Sequence, residues 1–160
     1  MAGDRHLFTS HLTWNDPQGL GTTKGAPYSR EYTIRVDGKP DLVGTAADAF
    51  GGDPTLPNPE DLFISAIAAC HMLTYLAIAA KSGIKVLSYR DEATGTLVVG
   101  GPDGSRFEEV VLHPEVVVAS DANQAQALKI HDSAHRHCFI ANSSSAPIRY
   151  EATISVAATA

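Results

Sequence analysis

NPEDLFISAIAACHMLTYLAIAAKSG, residues 58–83, reads as one long buried helix with a cysteine at its centre. Asn58 suits the N-cap, and Pro59 suits the first helical position, where a missing N–H costs nothing. Glu60 and Asp61 place negative charge at the positive end of the helix dipole, while Lys81 and Gly83 supply the usual C-terminal charge and stop. Between these ends, Leu62 to Ala80 include no Asp, Glu, Lys or Arg, and apolar residues occupy every face. A helix apolar all round is expected to be buried all round.

The same span is near the length that crosses a bilayer. Ser65, Cys70, His71, Thr74 and Tyr75 within it, acidic residues at its start and strand signals elsewhere favour a soluble core helix instead, with no membrane partner. Hydrophobic content of 44 % and charged content of 19 % suit a globular chain, and 160 residues suit a single domain. The net charge of −6 leaves no basic stripe for phosphates, which argues against nucleic acid. The opening MAGDRHLF lacks the apolar core of a signal peptide, so a cytoplasmic, reducing location is expected. There, two cysteines are more often free or redox-active than a structural bridge.

Working outward, residues 7–14 alternate weakly as a strand, residues 15–27 form a loop, and residues 29–36 alternate more clearly. Tyr32, Ile34 and Val36 share one face of that strand, and Arg30 has their parity, which marks it as an inward charge. Asp37-Gly38 predicts a hairpin turn, with residues 42–45 returning. Downstream, residues 85–90 and 93–99 read as strand, with a bulge or bend at Gly95, and Asp103-Gly104 predicts the next turn. Residues 107–119 form a further strand that Pro114 interrupts. Asp121 is the expected N-cap of a helix over 122–137, and residues 148–156 alternate as a last strand. This order predicts an α+β domain with antiparallel sheet packed around the long helix. A small sheet covers only one side of that helix, so a second copy of the chain is the simplest cover for the other.

Cys70 sits mid-helix, and Cys138 closes the second helix in HRHCFIAN, residues 135–142. Read blandly, both are small core residues. A thiolate at Cys70 needs a nearby cation, because apolar burial raises a thiol pKa and the helix N-terminus, about 15 Å away, offers little. Arg30 is the first candidate on parity, with Arg5, Arg35 and Arg90 behind it. A tetrahedral metal could draw on Cys70, His71, His135, His137 and Cys138. Their spacing is poor: Cys70 and His71 are adjacent and point about 100° apart, and no two of these five residues form a C-x-x-C or H-x-x-x-H pair. No metal or other cofactor is expected, and a surface role is expected for the histidines.

NPEDL at residues 58–62, AACHML at 68–73 and HCFIANS at 137–143 resemble the OsmC/Ohr family of osmotically inducible and organic hydroperoxide resistance proteins. YSR at 28–30 and SYRD at 88–91 resemble one branch of it. The resemblance runs over nearly the whole chain and implies one OsmC-like domain over residues 1–160 in an intertwined homodimer. It also implies a thiol peroxidase that reduces organic hydroperoxides and is recycled by an external dithiol. Under it Cys70 corresponds to the peroxidatic thiolate, Cys138 to the resolving thiol that bridges to it, Glu60 to the family's acid and Arg30 to the activating arginine, held by Glu60 in a bidentate pair. Glu60 and Cys70 lie ten residues apart on one helix, about 15 Å along its axis, so a site shared between two chains is expected. Two other readings compete: a non-catalytic dimer of this fold that holds an apolar small molecule while the cysteines stay structural, and a stress-related structural dimer with no ligand.

Overall fold

The computed structural model describes residues 3–102, 104–120 and 123–158. The long helix, α1 (Pro59–Lys81), starts and stops where its end residues dictate. Asn58 Oδ1 accepts from the Asp61 N–H at 2.9 Å and the Asp61 carboxylate accepts from the Asn58 N–H at 3.2 Å, a reciprocal cap that satisfies two orphan donors. At the other end Gly83 takes a left-handed φ of 71°. This turns the chain so that the Gly83 N–H donates to the Ala80 carbonyl at 3.1 Å and the Ile84 N–H to the Ala79 carbonyl at 2.9 Å.

The chain divides into two compact units, one ending at Leu62 and one beginning at Phe63. In the first, β1 (His11–Trp14), β2 (Tyr32–Arg35) and β3 (Leu42–Gly44) form an antiparallel sheet in the order β1-β2-β3, with shorter strands than the alternation predicts. Trp14 lies opposite Tyr32, and Tyr32 opposite Gly44. The Asp37-Gly38 turn forms: the Lys39 N–H donates to the Val36 carbonyl at 3.0 Å, and Gly38 has φ 75°. A short 3-10 turn at Asp48–Phe50 then leads toward α1.

In the second unit, β4 (Val86–Asp91) and β5 (Thr94–Gly101) follow α1, then β6 (Gly104–Leu112) and β7 (Pro114–Val118), α2 (Gln124–His137), α3 (Phe139–Asn142), β8 (Ile148–Tyr150) and β9 (Thr153–Val156). Two three-stranded sheets result, β4-β7-β9 and β5-β6-β8. Residues 85–90 and 93–99 form two separate strands as expected, in different sheets, and the stretches expected as strand over 107–119 and 148–156 likewise break and change sheet. The breaks sit side by side, at residues 92–93, 113 and 151–152. Pro114 opens β7, where its missing N–H leaves no gap in the ladder. The backbone donors at the breaks find local acceptors: His113 N–H on Asp91 Oδ1 and Glu151 N–H on the Leu112 carbonyl, both at 2.8 Å. The bulge predicted at Gly95 is displaced: Gly95 pairs regularly with Val110, and the β5–β6 register slips between Thr96 and Leu97, with the extra residue, Glu108, on β6. A Cβ at Gly95 would stand 2.7 Å from Ile64 Cδ1.

The expectation of purely antiparallel sheet needs correction. β8 runs parallel to β6 and β9 parallel to β7, because α2 and α3 carry the chain back before it re-enters each sheet in the original direction. Asp103 of the second predicted turn, and Asp121 with Ala122 at the predicted start of the second helix, lie outside the described residues.

Two clusters make the core of this unit. Ile67 packs with Val110 and Leu112, and Tyr75 and Ala79 pack with Val116, Val118, Ala127, Ile130 and Ala134. The buried positions of α1 are Ile67, His71, Tyr75 and Ala79, one stripe at a spacing of four. Its exposed positions Ala66, Ala69, Leu73, Ala77 and Ala80 form a second apolar stripe, with Leu73 63 % exposed. The single chain therefore buries one face of α1, not every face.

Gly52 tests the loop that precedes α1. A Cβ there would lie 1.6 Å from the Ala46 carbonyl oxygen, whereas one at Gly38 meets open space. Gly52→Ala is expected to lower the unfolding free energy in urea by about 3 kcal/mol, and Gly38→Ala by about 1 kcal/mol through its backbone conformation alone. Equal losses at the two sites would contradict the clash.

Candidate active site

Both thiols lie in the second unit, near enough to influence each other. Cys70 is half-buried in the middle of α1, and Cys138 is fully buried where α2 ends and α3 begins; both are free. The Cys138 thiol accepts from the Ala141 N–H at 3.4 Å and lies 4.0 Å from the Ile67 carbonyl oxygen, one turn of α1 before His71. Burial pushes the Cys138 thiol up to about 11, and hydrogen bonding and charge interaction with the neighbouring Cys70 add to the rise. The Ala141 N–H opposes it without cancelling it. Cys138 is thus protonated at neutral pH.

The other two predicted residues belong to the first unit. The Arg30 guanidinium lies 3.7 Å from the Tyr28 ring centroid and its Nε donates to the Phe50 carbonyl at 3.3 Å. Glu60 occupies the first turn of α1, and the negative charges of Glu60 and Asp61 add to the burial that raises the Tyr32 pKa. No ion pair joins Arg30 to Glu60 within the single chain. Arg30 Nη1, Tyr32 Oη and Glu60 Oε2 are all buried without a hydrogen-bond partner among protein atoms.

The histidines depart most from expectation. His71 is not a surface residue: it is 1 % exposed, and its Nε2 lies 3.0 Å from Nδ1 of His131, itself fully buried. His131 is the residue that sequence reasoning missed. Its signal was the buried spacing Ala127, Ile130, His131, Ala134 on α2, which matches the Ile67, His71, Tyr75 stripe on α1. Around the pair, Tyr75 stacks on His131 at 4.2 Å between centroids, Tyr150 lies 5.5 Å from His131, and Tyr150 hydroxyl donates to Asp132. His137 is exposed and engages the Ser133 carbonyl at 2.8 Å through Nδ1. Among the described residues, no group of three or more His, Cys, Asp or Glu is placed to hold a metal.

An open groove of about 580 Å³ lies in the same unit. Its apolar wall includes Phe63 and Phe107, stacked 4.9 Å apart, with Arg106 and Ser143 among its polar residues. Ser143 follows α3, one short helix beyond Cys138.

The family model described as OsmC-like protein matches residues 51–153. Among solved structures, an OsmC-like protein of unknown function from Vibrio cholerae is 32 % identical and covers 93 % of this chain and 100 % of its own, with a TM-score of 0.85. Two others share the fold at lower identity. An organic hydroperoxide resistance protein OsmC from Legionella pneumophila is 21 % identical over 95 % of this chain and 100 % of its own, with a TM-score of 0.67. An organic hydroperoxide resistance protein from Elizabethkingia anophelis is 18 % identical over 98 % of this chain and 100 % of its own, with a TM-score of 0.71. No curated protein matches at a significant level.

The buried imidazoles make stability depend on acid. Burial pushes both down to about 4, helped at His71 by the nearby His135 and at His131 by His71, with Asp132 partly offsetting the second. An unfolded chain binds protons on these rings at about pH 6.5 and below, where the folded chain does not. Stability is therefore full above about pH 6.5 and falls as the pH drops to about 4, by at most about 3 kcal/mol per ring. Urea unfolding at pH 7 and pH 4.5 should show this loss, and a His71→Leu/His131→Leu chain should lose less. An equally steep loss in the double variant would place the acid sensitivity elsewhere.

Proposed function

Because the chain belongs to the OsmC family, we propose that it is a cysteine-based thiol peroxidase that reduces organic hydroperoxides. The observation that carries this reading is the interaction of the half-buried Cys70 with the buried, proton-holding Cys138. In the first step the Cys70 thiolate attacks the distal peroxide oxygen, the O–O bond breaks, and the alkoxide leaves as alcohol after taking a proton. Cys70 is now a sulfenic acid. Cys138 then attacks that sulfur, water leaves, and a Cys70–Cys138 disulfide forms. An external dithiol returns two electrons and two protons and restores both thiols.

Arg30 would stabilise the thiolate and the departing oxyanion, and Glu60 would orient Arg30. Their unpartnered buried atoms support a partner that the single chain does not supply. A homodimer offers one. The stripe of Ala66, Ala69, Leu73, Ala77 and Ala80 is apolar, uncharged and self-complementary in size, as an isologous contact requires. With Cys70 about 15 Å along α1 from Glu60, a dimer can combine the first unit of one chain with the thiols of the other. Both cysteines free is the state such an enzyme holds at rest in a reducing, cytoplasmic setting.

The groove beside Phe63 and Phe107 supports one alternative, a non-catalytic dimer that takes up an apolar small molecule. Thiol stoichiometry separates the two. With tert-butyl hydroperoxide, the reduced protein should lose both thiols per chain and gain one bridge; Cys70→Ser should abolish peroxide consumption, and Cys138→Ser should stop at a trapped sulfenic acid. Two thiols still titratable after excess peroxide would end the peroxidase reading and leave the binding one. Sedimentation should give twice the chain mass of 16.9 kDa, and Leu73→Asp should halve it.

A further inference from the structure

α1 and α2 carry the two cysteines, yet most of what holds these helices together has no direction. Their shared cluster is Tyr75 and Ala79 against Ala127, Ile130 and Ala134, small apolar contacts that tolerate sliding. Apart from the contacts of the Cys138 thiol with the Ile67 carbonyl and with Cys70, the His71–His131 bond is the side-chain hydrogen bond between the two helices among the described residues. These two contacts also fix the sense of the seam. Moving from His71 to Ile67 goes toward the start of α1, and moving from His131 to Cys138 goes toward the end of α2, so the helices run in opposite directions along it. His71 follows Cys70 directly, and His131 precedes Cys138 by seven residues, about two turns.

We propose that the His71–His131 imidazole pair is a register pin: it sets the axial position of α2 on α1 and so holds the Cys138 thiol against Cys70. This rests on the reading of the two cysteines as a redox pair, and it makes His71 and His131 positioning residues that touch neither peroxide nor reductant. Two rings joined at 3.0 Å, 8° from coplanar orientation and clamped by Tyr75, define one axial offset, whereas alanine contacts define a range. A thiol pair misplaced by 1 Å forms its bond far less readily. A buried pair of this kind is retained for geometry more than for stability, since an apolar pair of similar shape can be close to neutral.

The full chain can be tested without peroxide, by equilibration in glutathione redox buffers. There two electrons and two thiol protons pass to oxidised glutathione, whose S–S bond breaks as the Cys70–Cys138 bond forms. The effective concentration of the thiol pair should fall about tenfold in His71→Leu/His131→Leu, equivalent to about 30 mV. A glutamine at 71 places its amide where Nε2 sits and an asparagine stops short of it, so His71→Gln should stay within about twofold of wild type and His71→Asn should fall with the double variant. This contrast stands even if the double variant fails to fold. A folded double variant with unchanged effective concentration, or glutamine and asparagine variants that behave alike, would overturn the pin. A wild-type chain that forms no bridge in any buffer would overturn the redox reading beneath it, which is a different result.

Discussion

Between Leu62 and Ala80 the long helix has no charge for water to solvate, so each surface it presents has to be met by protein. The second unit meets one: Ile67, His71, Tyr75 and Ala79 face two sheets and α2. Everything downstream of Gly83 serves that enclosure, including the three strands that bend from one sheet to the other at a common level. The opposite stripe through Leu73 is the same demand left open, and the proposed dimer closes it with a copy of itself. The fold and the proposed assembly trace to the same uncharged stretch of sequence.

Within this enclosure the polar groups are few and costly. Each buried nitrogen or hydroxyl without a partner costs about 1–3 kcal/mol, and His71 Nδ1, His131 Nε2, Tyr75 Oη and Tyr89 Oη all lack one among protein atoms. A valine or leucine layer would pack there at less expense. What an apolar layer lacks is direction, and the seam between α1 and α2 is where direction matters if two sulfur atoms are to meet. The same burial that raises the Cys138 thiol and lowers the imidazoles keeps all of them uncharged at neutral pH.

Local rules made much of this legible. Asn58, Asp61 and Gly83 announced the ends of α1 because caps depend on neighbours three or four residues away, and the positions of the strands, though not their exact lengths, followed from alternation. The break after β4 was legible too, since residues 85–90 and 93–99 read as separate strands, and Pro114 marked the one at 113; the break at 151–152 was not, because it depends on which strands lie side by side. Parallel entry of β8 and β9 was hidden for the same reason. At the site, Cys70 and Cys138 were identifiable from motif resemblance, and their adjacency needed the fold. His131 stands in an H-x-x-x-H spacing with His135, yet only the meeting of two buried stripes gives it its place beside His71. Arg30 and Glu60 were named from resemblance, and the single chain leaves both without each other.

The 3.0 Å bond between the two rings has one more consequence. Neutral imidazole carries one proton, so if His71 donates from Nε2 then His131 accepts at Nδ1 and keeps its proton on Nε2; if His131 donates from Nδ1, His71 must keep its proton on Nδ1. Both rings are therefore the same tautomer in either case, and neither can change alone without losing the bond. The core contains a two-position proton register: reversing it reverses the dipole of the pair, exchanges the hydrogen-bonding character of both outward nitrogens at once, and moves no heavy atom.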